Sequence, residues 1–188
     1  TKDIILELLR RCSVKGGVGK VFEYSGPGVE TLTVPQRATI CNMGAELGLT
    51  TSVFPSDEQT RHFLKAENRE DCFTELKTGE GCDYDECIEI DLSTLEPLVA
   101  QPHMPDRVVP VTDLKEMKVN QVWVGSCTNA NYHDMVNVAK ILKGKQVHPD
   151  VSFSVSIASR QVLHMLTEEG WLNDIVDAGA RVLELTCG

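Results

Sequence analysis

Two cysteines stand where strand-like runs of the sequence end. Cys127 belongs to the stretch Gly-Ser-Cys-Thr-Asn at residues 125–129, which directly follows the apolar run 122–124. Cys187 comes shortly after a second strand-like run, residues 181–185. Thiolate sulfur binds zinc ions and iron–sulfur clusters. We therefore interpret Cys127 and Cys187 as candidate ligands of one metal ion or cluster.

The residues that follow Cys127 favour the start of a helix. Thr128, Asn129 and Asn131 are of the types that cap helix N-termini. Free backbone N–H groups at a helix start lower the pKa of a nearby thiol, which favours the metal-binding thiolate. The alternative is that Cys127 is a small buried apolar residue. Its pairing with Cys187 favours the ligand interpretation.

The elements around these cysteines predict a parallel sheet. Strand-like apolar runs alternate with helical periodicity through the second half of the chain. This order produces right-handed crossovers and parallel strands, whose ligands bind outside the carboxyl ends. Both cysteines leave strands at that edge. The predicted strands are 119–124, 151–157 and 182–185, and the predicted helices are 131–142, 159–169 and 172–178.

The first half of the chain carries a less regular mixture of elements. A capping box of Ser56 with Gln59 starts one helix, and Pro35 fits the first turn of another. Four prolines fall between residues 97 and 110. Proline neither continues a helix nor donates to a central ladder, so we place a domain boundary there. We predict helices at 3–11, 35–47 and 57–67, and strands at 21–24, 29–34, 50–54 and 88–92.

Composition favours a cytoplasmic protein with neither a membrane nor a nucleic-acid partner. Seven cysteines, an odd number at irregular spacings, indicate free thiols in a reducing compartment. No run approaches the roughly 18 apolar residues of a membrane span. The net charge of -10 is concentrated at residues 57–96, where thirteen acids and four bases form a surface that repels nucleic acid. Because the chain begins at Thr1, we expect a piece of a longer protein.

Six stretches, spread in order along the whole chain, resemble the aconitase family of [4Fe–4S] hydro-lyases. The resemblance implies an aconitase-like α/β fold of two small three-layer units with mainly parallel sheets. Residues 1–100 would form one such domain, and residues 101–188 the first half of a following domain that carries the cluster cysteines. The stretches are 15–20 (Lys-Gly-Gly-Val-Gly-Lys), 26–29 (Gly-Pro-Gly-Val), 38–46 (Ala-Thr-Ile-Cys-Asn-Met-Gly-Ala-Glu), 54–58 (Phe-Pro-Ser-Asp-Glu), 125–129, and 159–162 (Ser-Arg-Gln-Val).

The resemblance also implies the cofactor. In the family, one cysteine of Gly-Ser-Cys-Thr-Asn and two of a later Cys-x-x-Cys hold a [4Fe–4S] cluster, and Cys127 and Cys187 match the first two. The third would lie three residues beyond Cys187, past the last residue of this chain. We therefore expect this piece alone to be inactive and not to bind the cluster. Three thiolates leave one iron open as a Lewis acid for a hydroxyl and a carboxylate.

Asn42 and Glu46 match active-site positions of the family. They stand four residues apart, which places them on one face of a helix. The resemblance implies that Asn42 lies against the cluster and that Glu46 contacts the water or hydroxyl at the open iron. The alternative is that Asn42 caps the chain locally and Glu46 is a solvated surface residue. In the family, a serine of a later domain removes the C–H proton of the substrate.

Two other motifs carry weaker signals. Residues 15–20 imitate a phosphate-binding loop, but Val21 stands where a serine or threonine must reach magnesium, and a predicted helix precedes the motif. Cys82 and Cys87 lie in an acidic segment without the second cysteine pair of a zinc site, which is typical of an exposed loop.

The resemblance implies a hydro-lyase that interconverts citrate and isocitrate through cis-aconitate in the tricarboxylic acid cycle. Its partners would be a small tricarboxylic or hydroxy-acid substrate and the remaining domains of the same enzyme. Three alternatives stay open. They are the large subunit of isopropylmalate dehydratase or homoaconitase, an aconitase-like RNA-binding iron sensor, which the acidic surface disfavours, and a structural module without a cluster.

Overall fold

The chain divides into two compact units, Thr1–Lys115 and Glu116–Gly188. A computed structural model describes residues 1–79 and 81–185. Each unit encloses its own cluster of buried apolar side chains. Within the described ranges, no helix combines the length and apolar character that crossing a bilayer requires.

The first unit combines α-helices with two pairs of short strands. β1 and β2 pair in parallel, with Phe22 opposite Ser52, whereas β3 and β4 are antiparallel, with Val99 opposite Val109. The helices are α1 (Lys2–Cys12), α2 (Pro27–Glu30), α3 (Val34–Met43) and α4 (Glu58–Ala66), and the strands are β1 (Val21–Glu23), β2 (Thr51–Val53), β3 (Leu98–Ala100) and β4 (Val108–Pro110).

The core of the first unit forms where α1 packs against α3. Ile5 and Leu9, one turn apart on α1, and Ile40 on α3 are all 1% exposed or less. An i, i+4 spacing of apolar residues gives a helix one buried face, and burial of that face stabilises it more than helix propensity does. The inner face of α3 is therefore fixed, while the residues on its other face remain exposed.

Two predicted strands of the first unit are wrong. Residues 29–34 were assigned to a strand because β-branched residues recur there, but α2 occupies Pro27–Glu30 and α3 begins at Val34. Pro27 sits in the first turn of α2, and Thr33 with Gln36 forms a capping box that starts α3. Residues 88–92 form no strand either, although Ile88 and Ile90 pack against the core. In the first segment the proline and the capping box favour helices over a strand. In the second the isoleucines pack against the core without pairing with another strand.

The second unit is a parallel sheet covered by helices that pack on one another. The strand order is β5-β6-β7, with Val124 opposite Val155 and Val155 opposite Val182. Phe153 and Val155 of the central strand belong to the cluster that the helices bury. The strands are β5 (Gln121–Val124), β6 (Ser152–Ser156) and β7 (Arg181–Leu183), and the helices are α5 (Tyr132–Leu142), α6 (Arg160–Glu168) and α7 (Trp171–Asp177).

The α/β class with mainly parallel sheets is confirmed, and the predicted strand–helix alternation of the second unit holds element by element. The proline-containing segment pairs as β3 and β4 beside α1, inside the first unit. The division into domains 1–100 and 101–188 stays a prediction about the enzyme's domains.

Candidate functional site

Cys127 lies just beyond the carboxyl end of β5 in an exposed loop. The strand ends at Val124, and the Ser126 hydroxyl donates to the Cys127 sulfur at 3.9 Å. None of the cysteines in the described ranges forms a disulfide. An exposed thiol at the carboxyl edge of a parallel sheet is where such folds bind ligands. The predicted position of Cys127 is therefore the observed one.

A close backbone approach holds the Cys127 loop against the neighbouring strand. A Cβ placed on Gly125 would lie 2.6 Å from the Ser156 carbonyl oxygen, far inside contact distance. On the other side of the loop, the Ala158 N–H donates to the Ala130 carbonyl at 3.1 Å. The loop is thus attached to the chain leaving β6 at both of its ends, which fixes where Cys127 emerges.

The helix after the loop begins at Tyr132, with Asn131 as its cap. The Asn131 side-chain oxygen accepts from the Asp134 N–H at 3.1 Å, as capping residues do. Cys127 therefore stands four residues before the cap, and the predicted helix start is confirmed.

Two acceptor oxygens near this turn are buried and have no hydrogen-bond partner in the described part of the chain. They are the side-chain oxygen Oδ1 of Asn129 and the carboxylate oxygen Oδ2 of Asp134. Buried polar atoms are normally satisfied, so these two mark a place where a water molecule or another donor fits. The sequence motifs did not single out Asp134 for this, because an acid in the first turn of a helix is common for dipole reasons alone.

The donor set of the described residues fits one ligand of an iron–sulfur cluster. Clusters are held by cysteine thiolates, and Cys127 supplies an exposed one. Cys187 lies outside the described residues. β7, which precedes it, belongs to the same parallel sheet as β5. No three His, Cys, Asp or Glu side chains within residues 1–79 and 81–185 are grouped closely enough to hold a metal ion. The convergence of Cys127 and Cys187 stays a prediction.

Asn42 and Glu46 lie at and just beyond the end of α3. Both are exposed, whereas Met43 and Leu47, which alternate with them, are 6% and 0% exposed. The helix ends at Met43 rather than at Leu47 as predicted, so Glu46 belongs to the following turn, where its N–H donates to the Met43 carbonyl at 3.2 Å. Their side chains are therefore accessible, and their active-site roles stay predictions.

The end of α3 is set by a close contact with β2. A Cβ on Gly44 would lie 2.8 Å from the Ser52 hydroxyl oxygen, so the chain after Met43 runs against the strand. Gly48, with φ of 78°, then reverses the chain into β2. Glu46 therefore lies just beyond the end of α3 and stays exposed.

Cys41 stands beside Asn42 and is exposed, but its sulfur is partly desolvated. Burial raises the pKa of the Cys41 thiol, and burial likewise raises the pKa of Cys12. A raised pKa keeps the sulfur protonated near neutral pH, whereas metals bind the thiolate. Metal binding at either residue would therefore have to displace the thiol proton.

Comparisons with known proteins match the whole chain to one family. The model of the aconitase family (aconitate hydratase) matches residues 1–188. The chain is 42% identical to 3-isopropylmalate dehydratase large subunit 1 of Thermotoga maritima, covering 100% of this chain and 45% of that protein. It is 40% identical to the mitochondrial aconitate hydratase of Candida albicans, covering 100% of this chain and 26% of that protein. The chain thus spans less than half the length of these relatives, and it belongs to the aconitase family.

Proposed function

We propose that the protein containing this chain is a [4Fe–4S] hydro-lyase that interconverts citrate and isocitrate through cis-aconitate. The observation that carries the proposal is an exposed cysteine, Cys127, at the carboxyl edge of a parallel sheet in a chain that matches the aconitase family over residues 1–188. A metal-assisted dehydration uses such an edge because ligands reach it from solvent.

The chain's own residues would divide the work between the cluster and the substrate. Cys127 and Cys187 would each supply one thiolate to the cluster, and the third would come from beyond residue 188. When bound, the cluster supplies an open iron that acts as a Lewis acid toward a hydroxyl and a carboxylate. The Asn42 amide would lie against the cluster. The Glu46 side chain, in its protonated carboxyl form, would donate a proton to the leaving hydroxyl, which would depart as water.

A second candidate is the large subunit of 3-isopropylmalate dehydratase. The observation that favours it is alignment length. The match to the Thermotoga maritima large subunit extends over 189 residues, against 206 for the Candida albicans aconitate hydratase, so the latter needs more inserted positions. In that case the substrate would be a branched hydroxy acid, and a separate small subunit would complete the enzyme.

The substrate test uses the natural full-length protein, reconstituted with iron and sulfide without oxygen. We expect it to hydrate cis-aconitate and to interconvert citrate and isocitrate. Turnover of isopropylmalate, with none of citrate, would select the second candidate. An enzyme that holds its cluster yet dehydrates neither acid would contradict the proposal.

A reducing compartment such as the cytoplasm suits these residues. A cluster needs thiolates that are not tied up in disulfides, and the cysteines of the described ranges, Cys127 among them, form none. The acidic segment 57–96 makes RNA binding the least favoured role for this surface.

A further inference from the structure

Arg37 is a buried arginine whose guanidinium binds three backbone carbonyls from two stretches of the first unit. Its residue is 4% exposed. Nε donates to the Leu32 carbonyl, and Nη2 donates to the Val29 carbonyl, both at 3.0 Å. Nη1 donates to the Pro55 carbonyl at 3.0 Å. A planar guanidinium with five donors suits such a set of fixed acceptors, which a lysine cannot match.

The fourth partner of Arg37 is the carboxylate of Asp57. Arg37 Nη2 lies 2.6 Å from Asp57 Oδ2, with the side chains 5% and 17% exposed. The other carboxylate oxygen of Asp57 accepts from the N–H groups of Gln59 and Thr60, so Asp57 caps α4 and the predicted capping box of Ser56 is wrong. Burial alone would raise the pKa of Asp57, but its hydrogen bonds from Arg37 and from the Thr60 and Gln59 N–H groups lower it. The aspartate therefore stays charged, and it joins α3 to the start of α4.

The bonds of Arg37 fix the helix that carries Asn42. Arg37 is the one charged residue of α3, and it lies five residues before Asn42 on that helix. The Arg37 guanidinium also lies 5.8 Å from the centroid of the Phe54 ring, which stacks on Tyr24 of the chain after β1. Through these contacts α3 is tied to α2, to the segment after β2 and to the start of α4.

Stability alone gives little reason for such an arrangement. A buried ion pair recovers little more than the cost of removing its charges from water, and apolar residues of similar volume often do as well. A buried pair does, however, fix the local geometry, because its hydrogen bonds form only when donors and acceptors stand in one arrangement. On α1 the first unit has a second buried carboxylate, Glu7, but its partners Arg10 and Arg11 belong to the same helix, whereas Arg37 and Asp57 join different elements.

We propose that Arg37 is a positioning residue, which holds α3 in place so that Asn42 at its end and Glu46 in the following turn keep one fixed orientation. The expected effect on catalysis rests on the proposed hydro-lyase function. The expected effect on the order of α3 does not. Asp57 is the counter-charge that keeps the Arg37 guanidinium in place.

The test compares Arg37→Lys with Glu7→Gln in the natural full-length protein. Glu7 is a matched control, because its buried carboxylate accepts from Arg10 and Arg11 on α1, away from the proposed site. In Arg37→Lys we expect amide hydrogen exchange at residues 38–46 to accelerate about tenfold, the equivalent of one lost hydrogen bond to a charged group. In the reconstituted enzyme we expect kcat to fall about 10–100-fold while KM stays within about threefold.

Glu7→Gln should accelerate exchange in α1 but leave residues 38–46 and kcat unchanged. The proposal is overturned when Arg37→Lys behaves like Glu7→Gln in both measurements. Should Arg37→Lys not fold, Asp57→Asn takes its place, because the asparagine amide still caps α4 while the charge is lost. Hydrogen exchange at residues 38–46 and kcat then decide in the same way. A wild-type enzyme without hydro-lyase activity would refute the proposed function, and hydrogen exchange alone would then decide the positioning role.

Discussion

The position of Cys127 depends on single residues on either side of it. Gly125 lets β5 pass so close to Ser156 that no side chain fits between them. The cysteine loop and the exit of β6 are thereby held together. A residue larger than glycine at position 125 would therefore collide with Ser156 at this edge of the sheet.

We predict that Gly125→Ala destabilises the second unit. The added Cβ would meet the Ser156 carbonyl at 2.6 Å, and overpacking against backbone costs about 1–3 kcal/mol beyond the cost of the positive φ. Urea denaturation measures the change in the free energy of unfolding. Gly144→Ala is the control, because Gly144 also has a positive φ (69°) but nothing within 4 Å of its Cβ position, so about 1 kcal/mol is expected. Equal losses in the two variants would contradict the close-contact explanation.

The Arg37–Asp57 pair predicts how stability depends on pH. The folded-state pKa of Asp57 is lowered from 3.8, so its contribution is fully present above that value and is lost as the pH falls through the folded pKa. We expect Asp57→Asn to be less stable than wild type at about pH 7, and the difference to shrink at about pH 3. Urea denaturation at both pH values checks this. A difference that grows on acidification would contradict it, and Asp71→Asn, at an exposed site, controls for the loss of a charge.

At the scale of elements, the helix after the cysteine loop is defined by its cap. Asn131 accepts from the Asp134 N–H, and Met135, fully buried, follows in the first turn. The cap stops the helix from extending into the loop, so it separates the rigid helix from the ligand-bearing segment. The loop's conformation therefore depends on where α5 begins.

We predict that Asn131→Ala lowers the free energy of unfolding by about 1 kcal/mol, the usual cost of losing an N-cap. Asn137, an exposed residue in the middle of α5, provides the control. Its change to alanine should be neutral or slightly stabilising, because alanine is the better helix former. Thermal unfolding of both variants makes the comparison, and an equal effect of the two changes would show that Asn131 does not cap.

Elements with strong local signals could be predicted from the sequence, and elements decided by packing could not. The capped helices α5 and α6 begin where the sequence predicts, since Asn131 and Ser159 both bond to the first turn. The supposed strand at 29–34 failed because a proline and a capping box outweigh β-branched residues. The predicted end of α3 was wrong because the contact of Gly44 with Ser52, eight residues further along, exists only once α3 packs beside β2.

At the scale of the whole molecule, the sequence motifs predict site residues but not the residues that support them. Cys127 lies at the predicted sheet edge, and Asn42 and Glu46 are exposed as their roles require. Arg37 and Asp57 carry no motif that announces a buried ion pair, because burial depends on the tertiary fold. The only local signal was a single charge within an otherwise uncharged α3.

The two units supply different parts of the proposed chemistry. Asn42 and Glu46 belong to Thr1–Lys115, whereas Cys127 belongs to Glu116–Gly188. Since each unit has its own core, changes in one core should leave the other folded. Under the proposed function, changes at Cys127 should act on cluster binding through the second unit, and changes at Asn42 or Glu46 should act through the first.

The most direct test of the central claim is the iron content and visible absorbance of the natural full-length protein with Cys127→Ser. Cys72→Ser, which changes an exposed cysteine of the first unit, is its control. We predict that Cys127→Ser loses most of the cluster-bound iron and its absorbance after anaerobic reconstitution, while Cys72→Ser retains both. A Cys127→Ser protein that holds as much cluster as Cys72→Ser would contradict the assignment of Cys127 as a ligand.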